Sequence, residues 1–373
     1  MPTMTGLSGN EIWCLAKQGF RPGELVIGNS VFSMGVMSSL GALGGNLMGG
    51  EVTQITGLIR DGRLNAYQRL VREAERAGGV AVTGVSNELK RFQGNTEFLS
   101  VGSALHTGEA TQEKLAFTTA SDGMELYCQI DAGFAPKQFV FGNIAYSVGA
   151  IGGLIGGLQT LARGEIKEFS DIFNRTRHAA LLRIKTEAFR VGANAVVGIK
   201  TYTMRYSGAH EMLMIGTASN HPLLPKPKYP RDVVTSDMTC EEMWNMANLG
   251  FMPTSLLLGS SVYSLGVVGG IKALFKSVVR GEISDLTSLI YDARAHAIGL
   301  IRTEASNLRA DQVVGIKTHI HTHGSLLEFM AVGTALRRLP GLTTAHPNLP
   351  PQALMRDKTT WFDNEFMIAG ESD

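Results

Sequence analysis

The chain contains one sequence pattern three times, and this internal repeat constrains the fold more than any other feature. Each copy has a glycine early in an apolar segment, then Gly-Glu, then Glu-Ala, a second glycine and a Gly-Ser/Thr-Ala triplet. The first glycines are Gly28, Gly142 and Gly259, which gives offsets of 114 and 117 residues. The spacing of the landmarks inside each copy is identical, so neither insertions nor deletions separate the copies. The pattern therefore predicts three copies of one folded unit.

The landmarks divide the 373 residues into three repeats with short connections. Each repeat is long enough to bury a core of its own. Aromatic residues near Trp361 indicate that the tail either docks onto a partner subunit or onto its own sheet, or is disordered. We expect these boundaries: repeat one at 1–107, repeat two at 118–221, a Pro-rich linker at 222–234, repeat three at 235–338 and a C-terminal tail at 339–373.

Composition and motifs narrow the functional classes. The net charge is +1, from 34 basic and 33 acidic residues, which argues against nucleic acid as a partner. The three cysteines have no metal-ligand spacing, and the first ten residues do not resemble a signal peptide, so we expect a cytoplasmic protein. No phosphate-binding loop, zinc-protease motif or nucleophile elbow is present, and we expect no enzymatic activity.

Four glutamates recur at equivalent positions in the repeats and raise the possibility of a carboxylate site. The sequence disfavours it, because the first has a capping role and no acid or base partner recurs with the others. In repeat two they are Glu125, Glu165, Glu187 and Glu211.

Local patterns predict the same elements in every repeat. Each begins with a capping box, such as Asp122 and Glu125, that starts a short helix. A first strand follows, and then a long helix, from about Glu165 to Val191 in repeat two, with apolar residues every three or four positions. In repeat one, Asp61-Gly62 is a point at which this helix can kink or break. Two further strands with a tight polar link predict a hairpin, so the fold class is α+β.

Two segments resemble a known family. Gly192-Ala-Asn-Ala-Val-Val-Gly198 and Glu328-Phe-Met-Ala-Val-Gly-Thr-Ala335 are similar to motifs of the YbjQ-like family, which carries a heavy-metal-binding label. The resemblance extends over nearly all of each repeat. It implies three tandem β-α-β-β units of dodecin-like shape that associate into rings, with pentamers as the precedent. It implies no catalytic residues and no agreed set of metal ligands.

Glycine-rich apolar segments precede the long helices. Leu25–Gly50 and Gln138–Ala162 contain no charged residue, and the second has several small-xxx-small spacings. We expect these segments to pack at a buried or subunit contact. Contact with a membrane surface is the alternative, and a transmembrane span is disfavoured because each segment begins with a predicted strand.

A histidine cluster occurs only in repeat three. His319, His321 and His323 alternate along a predicted strand and therefore share one face, about 6.6 Å apart. Two of them, His319 and His321, are candidates for binding Zn²⁺ or a similar divalent ion, with a further ligand from a neighbouring subunit. A straight row does not bring all three to one ion. The competing interpretation is a polar or interfacial strand face, because repeat two has tyrosine and methionine there.

Taken with the resemblance, these patterns predict a non-enzymatic protein that assembles with itself into a ring, tube or shell. Among closed homo-oligomers we favour five chains, with each repeat in its own ring and three rings stacked, over two chains that form one pseudo-sixfold ring. The alternatives are a metal-binding or metal-sensing module that uses the histidines of repeat three, and a peripheral membrane protein that uses the glycine-rich segments.

Overall fold

The computed structural model describes residues 2–33, 50–92, 95–108, 114–147, 164–206, 209–264, 284–323, 326–353 and 361–363. Repeats one and two show the same order of elements: a short helix, a long strand, a two-residue strand, a long helix and a two-strand hairpin. The helices are α1 (Gly9–Lys17), α2 (Thr53–Arg76), α3 (Gly123–Asp131), α4 (Lys167–Arg190), α5 (Cys240–Asn248) and α6 (Ser284–Asn307). The strands of repeat one are β1 (Arg21–Ser33), β2 (Gly50–Glu51), β3 (Ala81–Phe92) and β4 (Asn95–His106). Strand β5 (Phe117–Thr118) leads into repeat two, whose own strands are β6 (Ala135–Ser147), β7 (Gly164–Glu165), β8 (Ala195–Tyr206) and β9 (Ala209–Asn220). The remaining strands are β10 (Val234–Thr235), β11 (Phe251–Ser264), β12 (Gln312–His323), β13 (Leu326–Arg338) and β14 (Trp361–Asp363).

Each repeat builds its own antiparallel sheet, in which the last strand of the repeat is central. The strand orders are β1-β4-β3, β6-β9-β8 and β11-β13-β12. The predicted hairpins are therefore present as β3-β4, β8-β9 and β12-β13. The long helix of each repeat packs across the sheet, which confirms the α+β class and the three YbjQ-like units.

Two of the repeated glycines have clear structural reasons. A Cβ at Gly142 in β6 would lie 2.5 Å from the carbonyl oxygen of Ala180 in α4, so glycine allows the helix backbone to approach the strand. Gly198 has a φ of +61° at a register shift between Val197 and Lys200, a conformation that glycine adopts without strain. The equivalent residues of the other repeats show the same two features.

The long helices lie where the sequence predicts them. Helix α4 runs from Lys167 to Arg190, within two residues of the predicted bounds, and Gly164–Glu165 before it forms the short strand β7. Helix α2 is continuous through Asp61-Gly62, so the possible break does not occur. A Cβ at Gly62 would lie 2.3 Å from the ring of Phe98, which explains the glycine at this position.

The short strands join consecutive repeats. Strand β2 of repeat one pairs with β6 of repeat two, and β7 of repeat two pairs with β11 of repeat three. The segments that lead into repeats two and three, β5 and β10, pair in parallel with β3 and β8 of the preceding repeat. Consecutive repeats of one chain therefore lie side by side. This is not the expected stacked arrangement, in which each repeat would belong to a different ring.

The short helices confirm the capping boxes and also connect the repeats. In α3 the Asp122 carboxylate accepts from the backbone N–H of Glu125, and the Glu125 carboxylate accepts from that of Asp122. Helix α3 packs between α1 and α5, so the short helices form a row along one side of the molecule.

The remaining sequence expectations concern the tail and the glycine-rich segments. Strand β14 of the tail pairs in parallel with β8, which places this part of the tail on the chain's own sheet. Residues 34–49 and 148–163, which contain most of the glycine-rich segments, lie outside the described residues. Within the described ranges, none of the helices has the length and apolar character that crossing a membrane requires.

Candidate functional site

A fully buried ion pair lies between repeats two and three. Arg177 of α4 meets Glu328 of β13, and both side chains are completely buried. The Arg177 Nη2 donates to Glu328 Oε2 at 2.7 Å, and Nε donates to Oε1 at 3.2 Å. This two-point geometry matches the planar fork of a guanidinium to a carboxylate and fixes the relative position of the two repeats.

Polar and aromatic neighbours complete the surroundings of this pair. The Ser260 hydroxyl donates to Glu328 Oε1 at 2.9 Å, and His323 Nε2 lies 3.1 Å from Oε2. The guanidinium carbon of Arg177 lies 4.6 Å from the ring centroid of Tyr146, within the range of a cation–π contact. Both charges therefore have partners on several sides, as a buried ion pair requires.

Arg177 and Glu328 each shift the pKa of the other. Burial favours the neutral form of Glu328, but the charge of Arg177 and the hydrogen bond from His323 outweigh it and hold the pKa of Glu328 well below its usual range. Burial likewise opposes the charge on Arg177, but the Glu328 carboxylate raises the Arg177 pKa above its usual value. Both groups stay charged through the physiological range.

The same site occurs between repeats one and two. Arg63 of α2 donates from Nη2 to Glu211 Oε2 at 2.8 Å and from Nε to Oε1 at 3.2 Å, and both side chains are fully buried. Here Arg63 Nη1 also donates to Asn87 Oδ1 at 2.8 Å. Arg63 and Arg177 are separated by 114 residues, the offset of the repeats, so the two ion pairs are equivalent.

This site was not among the sequence predictions, although the sequence carries a signal for it. Glu211 was predicted only as one of four recurring carboxylates, and the arginine that recurs on the long helix is its missing partner. The four carboxylates do not form one site. Glu211 pairs with Arg63, Glu187 with Arg60 at 2.8 Å, Glu125 with Lys200 at 3.2 Å and Glu165 with His296 at 3.1 Å.

The structure places the three predicted histidine ligands in a row on β12. The ring centroids of His319 and His321 are 6.5 Å apart and their planes differ by 18°; those of His321 and His323 are also 6.5 Å apart. The described parts of the chain contain no group of three or more His, Cys, Asp or Glu suited to a metal. A site in which His319 and His321 bind Zn²⁺ with a ligand from a neighbouring subunit stays a prediction.

His323 has a different role from the other two histidines. It contacts Glu328 and the ring of Phe173, and it lies edge-on to His210 of repeat two at 5.0 Å. The ring of His323 therefore belongs to the contact between repeats two and three, which agrees with the interfacial interpretation of this strand face.

The three cysteines are buried free thiols near the row of short helices. Burial, assisted by nearby acidic groups, raises the pKa of Cys14 to about 11, and burial also raises the pKa of Cys240 well above its ordinary value. A thiol with a raised pKa is a poor nucleophile at neutral pH, so these residues pack rather than react.

Comparison with known proteins agrees with the architecture. The family model YbjQ_1, described as "Putative heavy-metal-binding", matches residues 20–108, 135–221 and 253–338. The encapsulin nanocompartment protein Rv1762c of Mycobacterium tuberculosis is 31% identical over 224 residues, which cover 57% of this chain and 83% of that protein.

Two shorter relatives are also similar to the chain. A UPF0145 protein of Methanoregula boonei is 40% identical over 21% of this chain and 68% of its own length. The UPF0145 protein of Acinetobacter baylyi is 32% identical over 29% of this chain and 98% of its own length. With three family matches that together cover more than half of its residues, the chain belongs to the YbjQ family and carries three copies of its domain.

Proposed function

We propose that the chain is a non-enzymatic structural protein that assembles with itself into a closed homo-oligomer. The observation that carries this proposal is that one interface occurs twice within the chain. Each occurrence has a buried Arg–Glu pair, a short strand added to the next sheet and a linker strand added to the preceding sheet. A contact that repeats head to tail continues until the rotation closes a ring or produces a filament.

The side-by-side order of the repeats supports a ring built from whole chains. Each chain would contribute three consecutive repeats, so the number of repeats in the ring is a multiple of three. Two chains form the smallest such ring, with six repeats. This replaces the stacked arrangement of five chains as the assembly that the fold favours.

The likeness to a protein named for an encapsulin nanocompartment supports a more specific role. In this proposal the homo-oligomer works in the cytoplasm in association with such a compartment. The family model that matches the chain is described as "Putative heavy-metal-binding", a description that names no reaction.

Light scattering coupled to size-exclusion chromatography tests the assembly. The full-length protein at micromolar concentration should elute as a species with at least twice the chain mass of 40.1 kDa. A single species at the mass of one chain over the whole concentration range would overturn the proposal.

A further inference from the structure

The two ends of the row of repeats expose residues whose equivalents are buried between repeats. On β1 of repeat one, Ile27 is 45% exposed, whereas the equivalent Phe141 of repeat two is 8% exposed. On β12 of repeat three, Ile316 is 48% exposed, whereas the equivalent Ile199 is completely buried. An apolar residue exposed only where the neighbouring repeat is missing indicates a surface that is normally covered.

Each end of the row carries one member of the Arg–Glu pair: the arginine lies in repeat three and the glutamate in repeat one. Arg294 of α6 stands at the position of Arg63 and Arg177, and it is exposed. Among the described residues, no acidic side chain pairs with it. Glu97 of β4 stands at the position of Glu211 in repeat two and is half-buried. It accepts a hydrogen bond from Asn29 at 3.1 Å, and in the described part of the chain no arginine forms an ion pair with it.

The surface around Arg294 has the shape that the interface needs. A groove of about 420 Å³ runs along α6 and is lined by Tyr291, Arg294, Ala295, Ile298, Gly299 and Arg302. The equivalent face of α4 covers β11 of repeat three, where Asn174 exchanges two hydrogen bonds with the backbone of Ser260. The face of α6 that carries the groove is thus equivalent to the face of α4 that covers the first strand of the next repeat.

The strand edge at one end of the row also matches the N-terminal segment at the other end in its backbone hydrogen-bonding groups. Val85 and Ile199 donate their backbone N–H groups, at 2.9 Å, to the linkers that lead into the following repeats. Ile316 stands at the equivalent position in the last of the three repeats and is exposed. Thr3 and Met4 stand at the positions of β5 and β10, and the Met4 carbonyl accepts from the N–H of Leu25 in β1 at 2.7 Å.

We infer that a second copy of this chain docks head to tail on the first, with the Arg294 face of α6 against β1 and β4 of the next chain. Arg294 pairs with Glu97 of the neighbouring chain, and Thr3–Met4 of that chain adds in parallel to the edge of β12. This inference rests on the proposed self-assembly and specifies the surfaces that it uses. Charge complementarity and continuity with the two interfaces inside the chain identify the occupant as another copy.

Charge reversal tests the assigned pair in the full-length protein. The variants are Arg294→Glu, Glu97→Arg and the double variant with both changes. Since both side chains are accessible in the single chain, the variants should fold, and circular dichroism with a thermal melt verifies this. Arg175→Asp is the matched control, because it makes the same change in charge on α4 at a position where repeats one and three already have Asp61 and Asp292.

Native mass spectrometry measures the fraction of assembled protein for each variant. We expect each single reversal to lower the fraction of assembled protein at least tenfold, the double variant to restore it, and Arg175→Asp to match the wild type. If wild type assembles and the single reversals assemble equally well, or if the double variant does not recover, the assigned contact is wrong although self-assembly stands. A wild-type protein that is monomeric would instead refute the proposed function itself.

Discussion

Replacing Glu328 with glutamine should weaken the contact between repeats two and three severely. The amide keeps the size of the side chain but removes the charge that faces Arg177, which stays buried and positively charged. Charges about 4 Å apart interact by about 4 kcal/mol at an effective dielectric constant of about 20. Removing one partner of such a buried pair typically costs about 3–5 kcal/mol. We therefore expect a loss of about 4 kcal/mol in the free energy of unfolding.

Equilibrium urea unfolding, followed by circular dichroism, measures this loss. Glu88→Gln is the control: Glu88 forms an exposed pair with Lys90 at 3.4 Å, which should contribute at most about 1 kcal/mol. The double variant Arg177→Met with Glu328→Leu removes both charges and should recover at least half of the loss, since neither charge is then left buried alone. If Glu328→Gln costs no more than Glu88→Gln, the buried pair does not hold the repeats together.

Four further outcomes follow from the structure. Gly142→Ala should cost about 1–3 kcal/mol in thermal unfolding, because its Cβ would press on the carbonyl oxygen of Ala180, whereas Gly57→Ala, which meets no atom within 4 Å, should not destabilise. Burial lowers the pKa of Lys185 to about 8, so Lys185→Met should raise the free energy of unfolding at pH 7 by about 1–3 kcal/mol. The free energy of unfolding of the wild type should rise between about pH 8 and 10, because the unfolded chain binds more protons there than the folded chain. Because the folded pKa of Glu328 is depressed, its contribution should be complete above the unfolded value of about 4.3 and decline as pH falls below it, which acid titration of wild type against Glu328→Gln would reveal. If His319 and His321 bind Zn²⁺, untagged His321→Ala should contain clearly less metal than wild type, and equal metal content would exclude that site.

Most of the fold was predictable because it depends on local patterns. Capping boxes, apolar periodicity and turn residues identified the short helices, the long helices and the hairpins, and the resemblance identified the family. The short strand at Gly164–Glu165 was not predictable, because it forms only by pairing with the next repeat. The reason for glycine at position 62 likewise depends on the distant ring of Phe98.

The interface site was harder to predict than the fold for a physical reason. Arg63 and Glu211 are 148 residues apart, and each looks like a surface residue until two repeats are placed side by side. Comparing the repeats position by position would have shown an arginine and a glutamate recurring three times. The histidines on β12 were predicted as metal ligands instead, because imidazoles two residues apart on a strand are common in metal sites. Whether such histidines bind one ion depends on the orientation of their rings, which the sequence does not determine.

The domain boundaries proposed from the sequence stay predictions, as does contact of the glycine-rich segments with a membrane surface. Detergent-free purification and flotation with liposomes would test the membrane alternative directly. Protein that remains entirely in the dense fraction would exclude it.

A cryo-electron microscopy map of the wild-type particle tests the central claim most directly. We predict a closed particle in which the number of repeats is a multiple of three and in which the contact between chains matches the two contacts within a chain. Density should join Arg294 of one chain to Glu97 of the next. Chains joined through any other surface, or particles that consist of a single chain, would contradict the account.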